Sequence, residues 1–267
     1  MARSPYTALY QSRMRTLRVQ TSTIAAQQLR AVATSGGSWD AFPEAVAPVV
    51  QGAQGAAVGL TAAYLSLVTE QPIPGMPLED LAPMIRNGVP TSDVYDRVVT
   101  TLRVEASKQA NFATAIDIAA ARASSSADLD VALAARAAFQ DVGTTGSLGQ
   151  AVSGWERVAD ADACDYCQEL DGAHVRSDDA MPIHNNCGCS LEPVDSATWQ
   201  SWREDRYGTS SSSRYPAESD TANVAAGRIL VPGVRVGTAV IREHGELGPV
   251  VVAHGQHFTG PADIPAA

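Results

Sequence analysis

The sequence predicts an α+β chain: a helical N-terminal body, a small β module built around a cysteine/histidine cluster, and an extended C-terminal β arm. Three observations predict it. Apolar residues recur at helical spacing from Tyr10 to Phe139. Near residue 151 the pattern changes to short strand-like segments bounded by turn residues. All four cysteines then fall between Cys164 and Cys189. The implied units are residues 1–150, a mainly helical body with a basic N-terminal arm; 151–207, the cysteine module; and 208–267, a linker with a β hairpin or arm.

Tyr10, Met14, Leu17 and Ile24 mark the first helix, which Ser35-Gly36-Gly37-Ser38 breaks. A second apolar segment runs from Phe42 to Val68, with Pro43 and Pro48 inside it and no charge after Ala45. Its length permits a membrane span, but Gln51, Gln54, three glycines and few large apolar side chains favour a buried helix in a bundle. Pro72 to Pro90 is a connector carrying a short helical piece at Leu78–Ile85. Ser92 can cap the next helix, whose stripe is Val94, Val98 and Leu102, with Asp93 favourable to its dipole and with Phe112 and Ile116 extending the stripe if the helix continues. Ser124-Ser125-Ser126 ends that run, and Asp128–Gln140 forms another helix before a loop at Gly143–Gly149.

Ala151–Val158 reads as a strand centred on Trp155. After the cluster come a short helix at Ser196–Arg206 with Trp199 and Trp202, the linker GTSSSS at 208–213, and strands at Val234–Ile241 and Pro249–His254 around the turn His244–Gly248.

Composition narrows the function classes. Hydrophobic residues make up 45% and charged residues 18%, which places the chain among folded proteins. A net charge of −10 argues against a free-standing nucleic-acid binder. The charge is uneven: residues 1–39 hold Arg3, Arg13, Arg15, Arg18 and Arg30 and no acid, leaving 14 basic against 29 acidic side chains elsewhere. Such a segment suits a solvated helix face, or contact with DNA or an acidic partner surface. Lys108 is the single lysine. No export signal is legible at the N-terminus.

The chemistry sits in Cys164-Asp-Tyr-Cys167, sixteen residues, then His184-Asn185-Asn186-Cys187-Gly188-Cys189. Zinc takes four soft or borderline donors in a tetrahedron. C-x2-C supplies two thiolates, His184-x2-Cys187 supplies a second pair, and Leu170-Asp171-Gly172 is a turn that folds one onto the other. Cys189 is a fifth donor, and His184, Cys187 and Cys189 compete for the remaining two places. Clustered cysteines without an export signal point to metal rather than disulfides. A surplus of donors favours a closed structural site over a catalytic one, which keeps a position open. A zinc deaminase is excluded because His244-Gly245-Glu246 follows the cysteines and Ala163 replaces the required proline. His184-Asn185-Asn186 keeps a zinc-supported HNH-type nuclease as an alternative, and a zinc-containing protein-interaction adaptor is another. Asp178-Asp179 reads as a solvated loop, and His254 and His257 as surface residues.

The stretch Gly154–Pro193 resembles the zinc-cluster end of the phage Mu F-like (MuF) minor head proteins. Trp155, Cys164, Cys167, Leu170-Asp171-Gly172, Pro182, His184, Cys187, Cys189 and Glu192-Pro193 carry the resemblance. It departs from the pattern at Pro182-Ile183-His184, where the proline usually sits closer to the histidine, at Asn185, often proline, and at Gly188, often arginine. The resemblance implies a non-enzymatic minor capsid protein of a tailed phage with a structural zinc. Its place would be the portal vertex or capsid interior of the virion, reached from the host cytoplasm during assembly. Its partners would be the portal or major capsid protein, with packaged DNA met through the N-terminal arginines, and with neither a small-molecule substrate nor a membrane span.

Overall fold

The computed structural model describes residues 4–108, 111–145, 148, 152–184, 187–195, 197, 235–236 and 239–253. The helix expected at Ser196–Arg206, the linker at 208–213, and Arg3, Asn185, Asn186, His254 and His257 lie essentially outside these residues.

Four long helices form the body: α1 (Pro5–Thr34), α2 (Ala41–Thr69), α4 (Thr91–Lys108) and α5 (Phe112–Thr145), with a short α3 (Leu78–Leu81) and two 3-10 turns between α2 and α4. Helix α1 packs on α5 and α2, and α4 packs on the same two from the other end. Ser4 opens α1 by accepting a hydrogen bond from the Tyr6 N–H, with Pro5 in the first turn where its missing donor is harmless. The basic residues 13–30 therefore lie along a core helix, whose buried face includes Tyr10, Met14, Ala25 and Leu29. Helix α2 tolerates Pro48 and buries Phe42, Val46, Val50, Ala57 and Leu65 at helical spacing. It is a core helix, and no helix among the described residues is long and apolar enough to cross a membrane.

Three local expectations need correction. Ser92 does not cap α4: the helix starts at Thr91, and the Pro90 carbonyl accepts from the N–H groups of Asp93 and Val94. Phe112 and Ile116 do not extend α4, because Asn111 starts a new helix by accepting from the Ala113 N–H at 2.9 Å. Ser124–Ser126 do not end a helix either. They sit inside the 34-residue α5, flanked by fully buried Ala123 and Ala127. Serine disfavours a helix by only a few tenths of a kcal/mol, about what one well-packed methyl recovers.

The β module follows α5. Strand β1 (Gly154–Val158) is central, with β2 (His174–Arg176) and β3 (Ser190–Val194) antiparallel on either side and a short helix α6 (Asp165–Glu169) between β1 and β2. Trp155 is fully buried and meets Phe139 edge-on at 5.6 Å; Phe139 meets Tyr10 and Tyr64, which stack at 4.5 Å. This aromatic column binds β1 to α1, α2 and α5. Strands β4 (Arg235–Val236), β5 (Ala239–His244) and β6 (Gly248–Ala253) form a second antiparallel sheet. Its hairpin is not an arm reaching outward. Val240, Ile241, Leu247 and Val250–Val252 are buried in the core shared by Trp155 and Phe139.

Candidate metal centre

The cluster is assembled by three short elements. Cys164 stands at the N-cap of α6 and Cys167 lies within it, so one helical turn turns both sulfurs to the same side. The turn at Asp171-Gly172, with Gly172 at φ +74°, sends the chain back into β2 beside β1. The segment holding His184 is then pinned by the C-terminal hairpin: Ile183 bridges Val250, its N–H donating to the Pro249 carbonyl and its own carbonyl accepting from the Val251 N–H at 2.8 Å. The Cys187 N–H donates to the His184 carbonyl at 3.1 Å, and Cys189 leads directly into β3.

All five predicted donors converge. His184 Nε2 lies 3.2 Å from Cys164 Sγ and 2.8 Å from Cys167 Sγ, and Cys167 Sγ lies 3.7 Å from Cys187 Sγ. The donors form two sets of three, Cys164/Cys167/His184 and Cys167/Cys187/Cys189, each with all ligand atoms within 4.8 Å and sharing Cys167. A tetrahedral metal with bonds of about 2.3 Å to sulfur has an S–S edge of about 3.8 Å. The Cys167–Cys187 separation meets that requirement, and the donors are soft, so the cluster could hold a metal ion. A cleft of about 260 Å³ opens on Cys164, Cys167 and His184 and offers an entry path.

The sulfurs are electrostatically unequal. Hydrogen bonds from Cys167 and then Cys189 hold Cys187 well below the ordinary thiol range, against its burial and with Arg157 helping. The bond to Cys187 correspondingly pushes Cys167 up, and Cys189 is raised to about 12.

Three contributors were not identified from the sequence. Arg157 on β1 is fully buried, and its Nη2 donates to Cys167 Sγ at 3.3 Å and Cys187 Sγ at 3.4 Å. Side chains two apart on a strand share a face, so the inward Trp155 already implied an inward Arg157. Arg18 on α1 donates to the Cys187 carbonyl, and the hairpin holds Ile183. No local pattern marks these long-range contacts. His244 belongs to the hairpin turn, where its Nδ1 accepts from the N–H groups of Glu246 and Leu247 at 3.1 Å.

Compared with known protein families, curated proteins and solved structures, the chain matches none.

Proposed function

We propose that this chain is a minor capsid (MuF-like) structural protein of a tailed phage, seated at the portal vertex or inner capsid, whose cysteine/histidine cluster holds one structural zinc. One observation carries the reading: donors in the order C-x2-C and H-x2-C-x-C converge beneath a buried tryptophan strand, ahead of the strand holding Glu192-Pro193. Those are the residues on which the resemblance rests. Glu192 also accepts from the Ser4 N–H at 3.0 Å and from the Thr7 hydroxyl, so the end of the signature ties to the start of the helical body.

Zinc suits thiolate and imidazole donors in a tetrahedron and adds no redox chemistry. Five donors for four positions support a closed, non-enzymatic site. Such a site contributes on the order of 10 kcal/mol to folding. A rigid module on a helical body fits head assembly, packaging or genome delivery through contacts with the portal or major capsid protein.

Among the described arginines of the N-terminal segment, Arg13 is the one best placed for the DNA-facing part of the proposal. Arg15 pairs with Asp160 and Asp162, Arg18 with Asp128, and Arg30 with Asp117, whereas Arg13 is exposed and has no ion pair among the described residues. Mass spectrometry of purified virions tests the capsid reading, which fails if the chain is absent. Metal analysis of the purified chain tests the zinc; less than about half an equivalent would defeat it.

A further inference from the structure

The side chain of Arg157 is a buried cation that needs an anion beside it. It is fully buried, its Nη1 donates to the Pro182 carbonyl at 2.5 Å, and its Nη2 reaches the sulfurs of Cys167 and Cys187. Its Nε is buried without a partner. No carboxylate among the described residues pairs with it; of the other buried arginines, Arg18 and Arg86 each pair with one, and Arg136 donates to the carbonyls of Leu247 and Pro249. A guanidinium stays charged in any protein. Burying it without an anion costs several kcal/mol. A protonated thiol supplies no such anion.

A divalent metal held by thiolates does. Three thiolates and a neutral imidazole around a 2+ ion carry a net charge of −1, which one guanidinium cancels; four thiolates carry −2 and leave an uncompensated buried charge. The first set includes His184. The position of the guanidinium then chooses between the last two cysteines, because Nη2 spans the sulfurs of Cys167 and Cys187. Cys187 is 4% exposed and Cys189 is half-buried, so Cys187 is the sulfur enclosed with the cation. We propose that Arg157 is the buried counter-ion of the metal centre and selects Cys164, Cys167, His184 and Cys187 as its ligands, with Cys189 left as a spare thiol. This rests on the metal centre proposed above. Arg157 is a positioning residue: it touches two ligand sulfurs and no metal.

The test uses the full chain, with zinc affinity measured by chelator competition and the ligand set read from the thiolate-to-metal absorption of the cobalt-substituted protein. If the wild-type chain binds neither metal, the metal centre itself fails, and the role of Arg157 falls with it. With wild-type binding established, Arg157→Met should weaken zinc about 10- to 100-fold, the range for groups that support metal ligands. Arg157→Lys, which keeps the charge, should recover most of that loss. Unchanged affinity in Arg157→Met, or equal losses in the two variants, overturns the counter-ion role. The ligand set is tested independently of whether Arg157→Met folds. Cys189→Ser should keep the wild-type three-sulfur cobalt spectrum and Cys187→Ser should lose intensity; the reverse pattern overturns the assignment.

Discussion

Arg18 on α1 and Asp128 on α5 form a two-pronged ion pair with side-chain exposures of only 8% and 11%, and the free Nη1 of Arg18 donates to the carbonyl of Cys187. One guanidinium thus joins the first helix, the last long helix and a candidate metal ligand. Breaking a buried pair strands its partner's charge, at about 3–5 kcal/mol. Arg18→Ala and Asp128→Ala should each lower stability by that amount in urea denaturation, and Arg18→Met with Asp128→Leu together should lose much less. A loss below about 1 kcal/mol for the single variants would show that water reaches the pair. It also follows that glutamine substitutions probing DNA contact belong at Arg13, because at Arg18 a folding defect would masquerade as lost binding.

The C-terminal hairpin should loosen in acid. Glu246 accepts from Arg86 and Arg97, each at 2.6 Å, while Asp130 on α5 holds Arg86 from the other side. Burial opposes ionisation of Glu246 most strongly, but the bonds and charges of Arg97 and Arg86 outweigh it and hold the carboxyl below its ordinary 4.5. An acid depressed in the fold stabilises it above the unfolded value, and that stability is lost as pH falls through the folded value. Burial similarly holds His244 below 6.5, so charging it in acid opposes the fold in the same direction and ends its acceptance of two N–H groups. Asp130 pulls the other way, since burial raises its carboxyl and protonation relieves it. Amide protection across Val240–Val252, taken against each amide's intrinsic rate at the same pH, should therefore fall below about pH 6.5 and again below about pH 4.5. In Glu246→Gln the lower step should disappear; its persistence would assign the step to another group.

Two glycines inside helices should respond to alanine with opposite signs. At Gly143, near the end of α5, an added Cβ would stand 1.8 Å from the Ser177 carbonyl oxygen and 2.7 Å from its carbon, where the module's backbone crosses the helix. Backbone cannot swing aside as a side chain can, so Gly143→Ala should destabilise by about 1–3 kcal/mol. Gly52, exposed on α2, has nothing within 4 Å of such a Cβ. Gly52→Ala should instead stabilise by up to about 1 kcal/mol, the ordinary helical preference. Thermal midpoints moving the same way in both variants would contradict the close approach at Ser177.

What the sequence disclosed and what it hid divide along physical lines. Helical spacing marked the buried Tyr10 and Met14 on α1 and Val94, Val98 and Leu102 on α4, although Ile24 in the first series is exposed, and cysteine spacing brought out all five donors, because each signal lies within one turn or one strand. The triple serine misled, since its weak local preference is overridden by packing of Ala120, Ala123 and Ala127, which depends on residues far along the chain. Buried arginines were hidden for a similar reason. Arg18, Arg86 and Arg157 each find their partners through contacts tens to more than a hundred residues away. Only Arg157 left a local trace, in its alternation with Trp155.

Stripping the proposed metal should unfold the chain from one end. Cys167 and Cys187 belong to the core that holds Trp155, Leu170, Leu191 and Phe139. A second core at the far end of the helices, with Leu29, Phe42, Tyr95 and Leu102, contains no residue of the β module. Loss of the ion leaves the module's sulfurs and Arg157 without their proposed charge balance, while the far core keeps its packing. A strong chelator should therefore raise amide exchange at Gly154–Val158 and Ser190–Val194 by at least about a hundredfold, close to 3 kcal/mol of local protection. The hairpin should follow, because Ile183, one residue before His184, carries its bridge to Val250. Protection at Val46–Val50 and Val98–Leu102 should stay within about threefold of the untreated chain. If both cores lose protection together, the metal is supporting the whole fold, and the helical body has no stability apart from the module.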